Sequence, residues 1–366
     1  MRAYAFLVAA GALLLPAQTP GNWELGRFVR PDGVNPIIVP RPESVFNCPM
    51  RGEPVHWETL HTFNPGAVVR DGKVFLLYRA EDNSGAMQIG MHTSRLGLAW
   101  SDDGLHFTRR PEPVLYPAGD NQKEREWEGG CEDPRVVEGP DGTYIVTYTQ
   151  WNRQTTDIAV ATSKDLVTWT KHGPAFAEAS GGKYLRLSHK SAGIVVRLAG
   201  DRLVAATIAG KYWMYWGEGE IHLATSTDLV RWRPVEDASE NPVVVLSRRA
   251  GHFDSSFPEV GPPPVLTRDG IAVLYNGRND GARGDPHLAA GTYAAGEALF
   301  AADNPSKLLA RTEGPVFKPE MSFEKSGQYA AGTTFTEGLV WFKGRFFLYY
   351  GCADSFVGVA VSEGRK

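Results

Sequence analysis

The chain has 366 residues, 42% of them hydrophobic, 11% aromatic and 22% charged, a globular composition that excludes disordered, collagen-like and coiled-coil chains. A formal net charge of −4 gives no electrostatic footprint for nucleic acid or an anionic membrane, so a neutral polar ligand is the expectation. Forty glycines and 25 prolines favour short strands and tight turns over long helices.

Residues 1–18 read as an export signal. Arg2 supplies a positive start, Ala5 to Leu15 are apolar, and Pro16 to Gln18 lie at the cleavage region. The apolar run is too short to span a bilayer comfortably, and no later segment approaches a membrane helix in length. A soluble, exported protein (periplasmic or secreted) is expected, with one domain over residues 19–366. The segment from Trp23 to Val55, rich in Pro, Arg and Asn, is expected to wrap that domain or close it. Cys48, Cys131 and Cys352 are too few for a disulfide framework and read as buried thiols. Metal-ligand spacings such as His-x-x-x-His are missing, so neither a metal nor a cofactor is expected.

A repeat organises the rest of the chain. Leu98-Ala99-Trp100-Ser101-Asp102-Asp103-Gly104-Leu105-His106-Phe107 is echoed by Val160 to Trp169 and by Leu223 to Trp232. Each copy has an aliphatic residue, Ala, Ser, an Asp two residues after the Ser, and a closing aromatic. The serines at 101, 163 and 226 are evenly spaced, and Val359-Ala360-Val361-Ser362 is a truncated copy with room for a degenerate one before it. Apolar runs precede the copies at 74–78, 144–148 and 203–207, and recur at 271–275 and 346–350. Asp/Gly turn signals lie ahead of all five, at 70–72, 140–142, 199–201, 268–270 and 343–345. Strand, tight turn, strand, repeated five times with about four strands per unit, predicts an all-β, five-bladed β-propeller with a central funnel. The Ser/Asp/aromatic element is then a turn between outer strands. Asp103, Asp165 and Asp228 are read as backbone caps and not as chemistry.

In such a ring the inner strands converge on one axis, so functional groups are sought just ahead of each hairpin. The segments there are Phe63-Asn64-Pro65-Gly66, Gly129 to Arg135 with Glu132-Asp133-Pro134-Arg135 at its end, Ser188-His189-Lys190-Ser191, Ser255 to Glu259, and Ala331 to Phe335. Carboxylates, amides and cations facing one pocket suit a sugar, and paired acids suit cleavage of a glycosidic bond. Together with Tyr78-Arg79, Pro305 and Tyr349-Tyr350-Gly351-Cys352-Ala353-Asp354-Ser355, these motifs resemble glycoside hydrolase family 130, the β-mannoside phosphorylases and β-1,2-mannosidases. The resemblance runs from about Asn64 to Ser362 in the expected order, and the family's fold is also a five-bladed propeller.

That resemblance implies Asp133 as proton donor, acting through the mannose 3-hydroxyl. It implies sugar-binding roles for Asn64, Arg79 and Asp354, with Lys190 a retained basic position. Arg135 is placed with the substrate-binding residues or as a group that fixes Glu132 or Asp133. Phosphorolysis needs cations converging on a dianion. Where phosphorylase members carry Arg, His-Arg and His-Gly, this sequence has Asp157, Tyr215-Trp216-Gly217-Glu218 and Asn276-Gly277. Water is therefore the expected nucleophile, and the resemblance to the family's hydrolytic members implies Glu218 and Glu259 as the groups that activate it. Glu220 is a rival to Glu218 because the segment 216–220 can be aligned with a two-residue slip, and strand alternation, which puts both on one face, does not choose between them. The expected activity is hydrolysis of a mannose-containing oligosaccharide, most simply a β-1,2-mannoside, with inversion. Phosphorolysis and non-catalytic sugar binding are the alternatives.

Overall fold

The computed structural model describes residues 23–363, so the segment read as an export signal lies outside the described residues. Strand accounts for 45% of the described residues and helix for 4%. Four-stranded antiparallel meanders follow one another along the chain. The first runs through His61–Arg70, Lys73–Glu81, Ser94–Ser101 and Thr108–Arg109, and the second through Gly130–Glu138, Tyr144–Trp151, Thr156–Ser163 and Thr170–Pro174. The last comprises Thr334–Phe342, Arg345–Cys352 and Phe356–Ser362, and its fourth strand is Phe28–Val29 from the other end of the chain. The segment from Trp23 to Val55 thus supplies an outer strand to the last meander. Two-residue turns join the first two strands in the first and last meanders. Their central residues, Asp71 and Gly72 (φ 50° and 72°) and Lys343 and Gly344 (φ 49° and 79°), are left-handed, as a tight hairpin requires.

The third and fourth meanders are built differently. In the third, the strand Lys211–Trp216 pairs with two separate pieces, Ala192–Ile194 and Thr207–Ile208. Between the pieces the chain leaves in an extra hairpin, Val196–Ala199 with Arg202–Ala205. The sequence pattern placed the third unit's hairpin turn at 199–201. The turn that enters the meander is instead Ala209-Gly210, where both residues have positive φ (50° and 76°). Most of the apolar run at 203–207 belongs to the excursion, and only Thr207 returns to the meander, which is why composition alone misassigned it. In the fourth meander, Phe257–Val260 and Val265–Leu266 both pair with Ile271–Arg278, separated by Gly261 and three prolines that cannot donate to the ladder. Tyr293–Phe300 and Leu308–Arg311 complete it.

Neighbouring meanders touch in a cycle. A Cβ on Gly66 would lie 2.4 Å from the Pro134 carbonyl oxygen, and one on Gly338 would lie 2.6 Å from that of Pro65, so glycine is what lets these first strands approach. Thr147 donates to the Ala192 carbonyl, Gly219 N–H to Pro258, and Asn276 Nδ2 to Thr336. Around this centre, apolar side chains fill the spaces between sheets, with Trp57, Trp232, Tyr78, Tyr148 and Tyr215 among the largest fully buried rings.

The repeated Ser/Asp element is a turn between the two outer strands, as its pattern predicts. Ser101 Oγ accepts from Gly104 N–H, and Asp103 Oδ1 accepts from the N–H groups of Leu105 and His106. The same bonds recur from Ser163 and Asp165, and from Ser226 and Asp228. The indole N–H groups of Trp169 and Trp232 close their copies by donating to the carbonyls of Leu166 and Leu229. All three cysteines are buried free thiols. Among the described residues no helix is long and apolar enough to cross a membrane.

Candidate active site

The site begins with bulges. In each of the three continuous first strands the ladder slips once, at Phe63/Pro65, at Glu132/Arg135 and at Thr336/Gly338. The bulged residues Asn64 and Asp133 are held at φ 45° and 47°. Ala353 and Asp354, in the last turn of the fifth meander, stand at 46° and 51°. Left-handed backbone at a non-glycine residue costs on the order of 1 kcal/mol or more and persists only where its surroundings impose it. Here it brings Asn64, Asp133 and Asp354 to one buried spot.

Arg79 is the centre of that spot. Its Nη1 donates to Asp133 Oδ1 at 3.1 Å, while Nη2 lies 2.6 Å from Glu81 and 2.8 Å from Glu132. Asn64 Nδ2 donates to the same Asp133 oxygen at 2.9 Å, and Ser94 Oγ donates to Glu132 at 3.1 Å. Burial opposes ionisation of Asp133, but Arg79, Lys190 and Arg135 and the Asn64 hydrogen bond outweigh it and hold its pKa below the usual carboxylate value. Burial prevails at Glu132, whose carboxyl is pushed up to about 7 with the nearby Asp133 and Glu81 charges adding to the effect against Arg79. Asp354 is likewise raised to about 7, chiefly by burial. Asp133 is thus ionised in the free site, while its two neighbours titrate near neutrality.

The opposite wall carries a second pair of carboxylates. The turn 217–220 docks on the fourth meander through Gly219 N–H to the Pro258 carbonyl and Val260 N–H to the Gly217 carbonyl. Glu218 and Glu259 are bridged across this contact. Lys190 Nζ lies 3.2 Å from Glu218 and 3.8 Å from Glu259, and Ser191 Oγ donates to Glu259 at 2.5 Å. Glu259 is fully buried, which raises its pKa to about 7 against the pull of Lys190. Burial opposes the charge of Lys190, yet Glu259, Glu218 and Asp133 keep its ammonium protonated well above the ordinary range.

A cavity of about 290 Å³ joins the two walls, lined by Asn64, Arg79, Glu132, Asp133, Lys190, Glu259 and Asp354 and by the rings of Phe63, Trp151, Tyr293, Tyr329 and Phe335. A second cavity, of about 340 Å³, continues past Thr156 and Lys190 to Glu218, Tyr184, Trp216 and His222. Sequence reasoning missed Glu81, Ser94 and the rings of Trp151, Tyr293 and Tyr329; Phe63, Ser191 and Phe335 lay inside segments it had singled out.

Four expectations change. Arg135 does not line the cavity: it is 1% exposed, its guanidinium donates to the carbonyls of Asp133, Val260 and Gly261, and it stands 3.2 Å from Glu337. It therefore locks the bulge that carries Asp133 to the fourth and fifth meanders. Glu218 and Glu220 lie in a turn between strands, so strand alternation does not relate them, and Glu220 lines neither cavity. Asp157 does not face the pocket as a free charge, because Arg125 binds it at 2.6 Å. Asn276 is occupied at both ends of its amide by Thr336 and ties two sheets together.

A pocket of opposed carboxylates walled by aromatic rings suits a carbohydrate ligand. The family model for glycoside hydrolase family 130, described as β-1,4-mannooligosaccharide phosphorylase, matches residues 34–366. A 1,2-β-oligomannan phosphorylase from Thermoanaerobacter sp. is 31% identical over 90% of this chain and 95% of its own. The crystal structure of a putative glycosidase from Bacteroides thetaiotaomicron is similar at 54% identity, covering 96% of this chain and 100% of that one, with a TM-score of 0.94. A further structure, at 50% identity over 95% of this chain and 97% of its own and a TM-score of 0.94, is described with the statement that this family of mannoside phosphorylases contains glycoside hydrolases that target β-1,2-mannosidic linkages in Candida mannan. The chain belongs to glycoside hydrolase family 130, and it is an enzyme that acts on mannosides.

Proposed function

We propose that the protein is an exported, inverting β-mannosidase specific for β-1,2-linked mannosides, and that its meanders are the blades of a single-domain, five-bladed propeller over residues 19–366. The cyclic contacts between successive sheets support the propeller, and the apolar start of the chain supports export. Asn64, Arg79 and Asp354 hold the terminal mannose. A proton drawn from Glu132 or Asp354 reaches Asp133, which passes it to the sugar 3-hydroxyl oxygen while that hydroxyl's own hydrogen moves to the departing glycosidic oxygen. Water attacks the anomeric carbon from the far face and gives its proton to Glu259, with Glu218 and Lys190 orienting the pair. The carbon–oxygen bond to the aglycone breaks as the bond to water forms. Asp133 ends ionised and Glu259 protonated, and the released mannose has inverted configuration.

The observation that carries hydrolysis over phosphorolysis is the state of the cations. Arg79 and Lys190 line the cavity, and each is already held by two or more carboxylates. A phosphate dianion would have to displace those carboxylates and meet Glu218 and Glu259. The test is incubation with β-1,2-mannobiose with and without inorganic phosphate. Mannose in both mixtures is expected. Mannose 1-phosphate, the product suggested by the phosphorylase relatives, would overturn the hydrolase reading, and intact disaccharide would leave only sugar binding.

A further inference from the structure

Behind the sugar-binding wall lies a cluster that the mechanism does not use. His61 and Glu81 are directly paired across neighbouring strands of the first meander, and His92 ends the loop that follows Glu81. One ligand atom from each lies within 4.8 Å of the others, and Glu81 and His92 are buried. The spacing of 61, 81 and 92 matches no linear metal motif, so the sequence offered no signal for it.

We propose that His61, Glu81 and His92 form a binding site for one divalent transition-metal ion, of which Zn²⁺ is the representative. Two imidazoles and one carboxylate are the donor set such ions prefer, whereas Ca²⁺ and Mg²⁺ favour oxygen alone. The tautomer of His92 is set for the task. Its Nδ1 lies 3.1 Å from the Ser84 carbonyl oxygen, which can only accept, so Nδ1 carries the hydrogen and Nε2 keeps its lone pair. His61 Nδ1 is in turn engaged by Ser355 Oγ at 2.9 Å, leaving Nε2 as its ligand atom. A ring nitrogen fixed by an outer partner is how proteins orient metal-binding histidines.

Glu81 can serve both neighbours. Its Oε1 is taken by Arg79 at 2.6 Å, while Oε2 meets the amide of Gln328 at 3.4 Å and retains lone pairs for an ion. Charge also permits the ion: Glu81, Glu132 and Asp133 converge on the single guanidinium of Arg79. The three ligands come from two strands and the end of the 82–92 loop, whose Ile89 and Gly90 line the sugar cavity. A bound ion would tie that loop to the sheet and fix one edge of the pocket, with a fourth coordination position left for water.

The test uses chelator-stripped wild-type enzyme titrated with Zn²⁺ alone, followed by metal analysis after gel filtration and X-ray absorption at the zinc edge. About one equivalent per chain, with a first shell containing two imidazole nitrogens, is expected. His92→Phe and His61→Phe should each weaken uptake by about tenfold or more, with thermal melting reporting that the variants fold. Uptake well below one equivalent, uptake unchanged in both variants, or an absorption spectrum without two imidazoles would overturn the site. If either variant fails to fold, the absorption spectrum of the wild type decides alone.

Discussion

The two walls of the cavity solve the same problem by different constructions. The wall that holds Asn64, Asp133 and Asp354 rests on continuous strands of the first, second and fifth meanders, and its functional residues sit at bulges and turns with left-handed backbone. The wall that holds Lys190, Glu218 and Glu259 comes from the third and fourth meanders, whose first strands are broken in two. One side gathers carboxylates around a shared arginine, and the other around a shared lysine. Bulged continuous strands fix atoms tightly, which suits a proton relay through a sugar hydroxyl. Interrupted strands let a turn that carries Glu218 face the short strand that carries Glu259, which suits the placement of a water between two acids.

The largest expected effect lies on the first wall. Asp133→Asn removes the carboxylate that relays the proton but keeps a side chain of the same shape, so turnover of β-1,2-mannobiose should fall by about 10³–10⁴-fold with sugar affinity nearly retained. Steady-state kinetics and calorimetric binding check this, and a variant retaining a tenth of wild-type turnover would remove Asp133 from the chemistry. On the second wall, Glu259→Gln should cost about 10²–10³-fold and Glu218→Gln about tenfold, because one accepts the proton and the other only positions. Azide should restore turnover in Glu259→Gln as a mannosyl azide of inverted configuration, seen by NMR. Equal losses without rescue would mean that the second wall does not divide its work in this way.

The pH profile reads both walls at once. Below about pH 7 Glu259 gains a proton and can no longer accept one, and above about pH 7 Glu132 and Asp354 lose the protons that supply Asp133. A narrow bell in kcat/KM centred near neutrality follows. Lys190→Gln removes a charge that lowers all three groups, and it counts most at Glu259. The low-pH limb should therefore move up by about one unit, more than the high-pH limb. A limb that stays in place would separate Lys190 from the base. The smallest effect belongs outside both walls: Asp103→Ala loses two backbone hydrogen bonds at an outer turn and should cost about 1 kcal/mol in urea unfolding with kcat unchanged.

Much of this contrast was legible in the residues, but unevenly. The Ser/Asp/aromatic turns could be read because each is local: every bond spans two or three residues, so spacing encodes geometry. Asn64, Asp133 and Asp354 were found through the resemblance of their motifs to the family's, while the bulges and left-handed turn that bring them together gave no signal in the residues. The role of Arg135 was accessible only in part: the reading that it fixes Asp133 is met at that residue's carbonyl, whereas its other partners Val260, Gly261 and Glu337 lie more than a hundred residues away. Asp157 was misjudged for the same reason, its charge being met by Arg125 from a short helix that no pattern announced. The broken strand of the third meander escaped because apolar alternation cannot distinguish a ladder strand from a hairpin that leaves the sheet.

The pairing of Phe28–Val29 with Val361 and Ser362 has a kinetic meaning. Arg30 reaches Glu324, and Asn35 bonds Val359 through both ends of its amide, so the opening and closing stretches of the chain clasp one another. Such contacts close a loop of more than 300 residues, whose entropy must be surrendered before any bond rewards it. The final sheet therefore cannot be completed until nearly the whole polypeptide is present. Tension applied near residue 28 would shear the clasp first, leaving the inner sheets intact while the last one loses its outer edge.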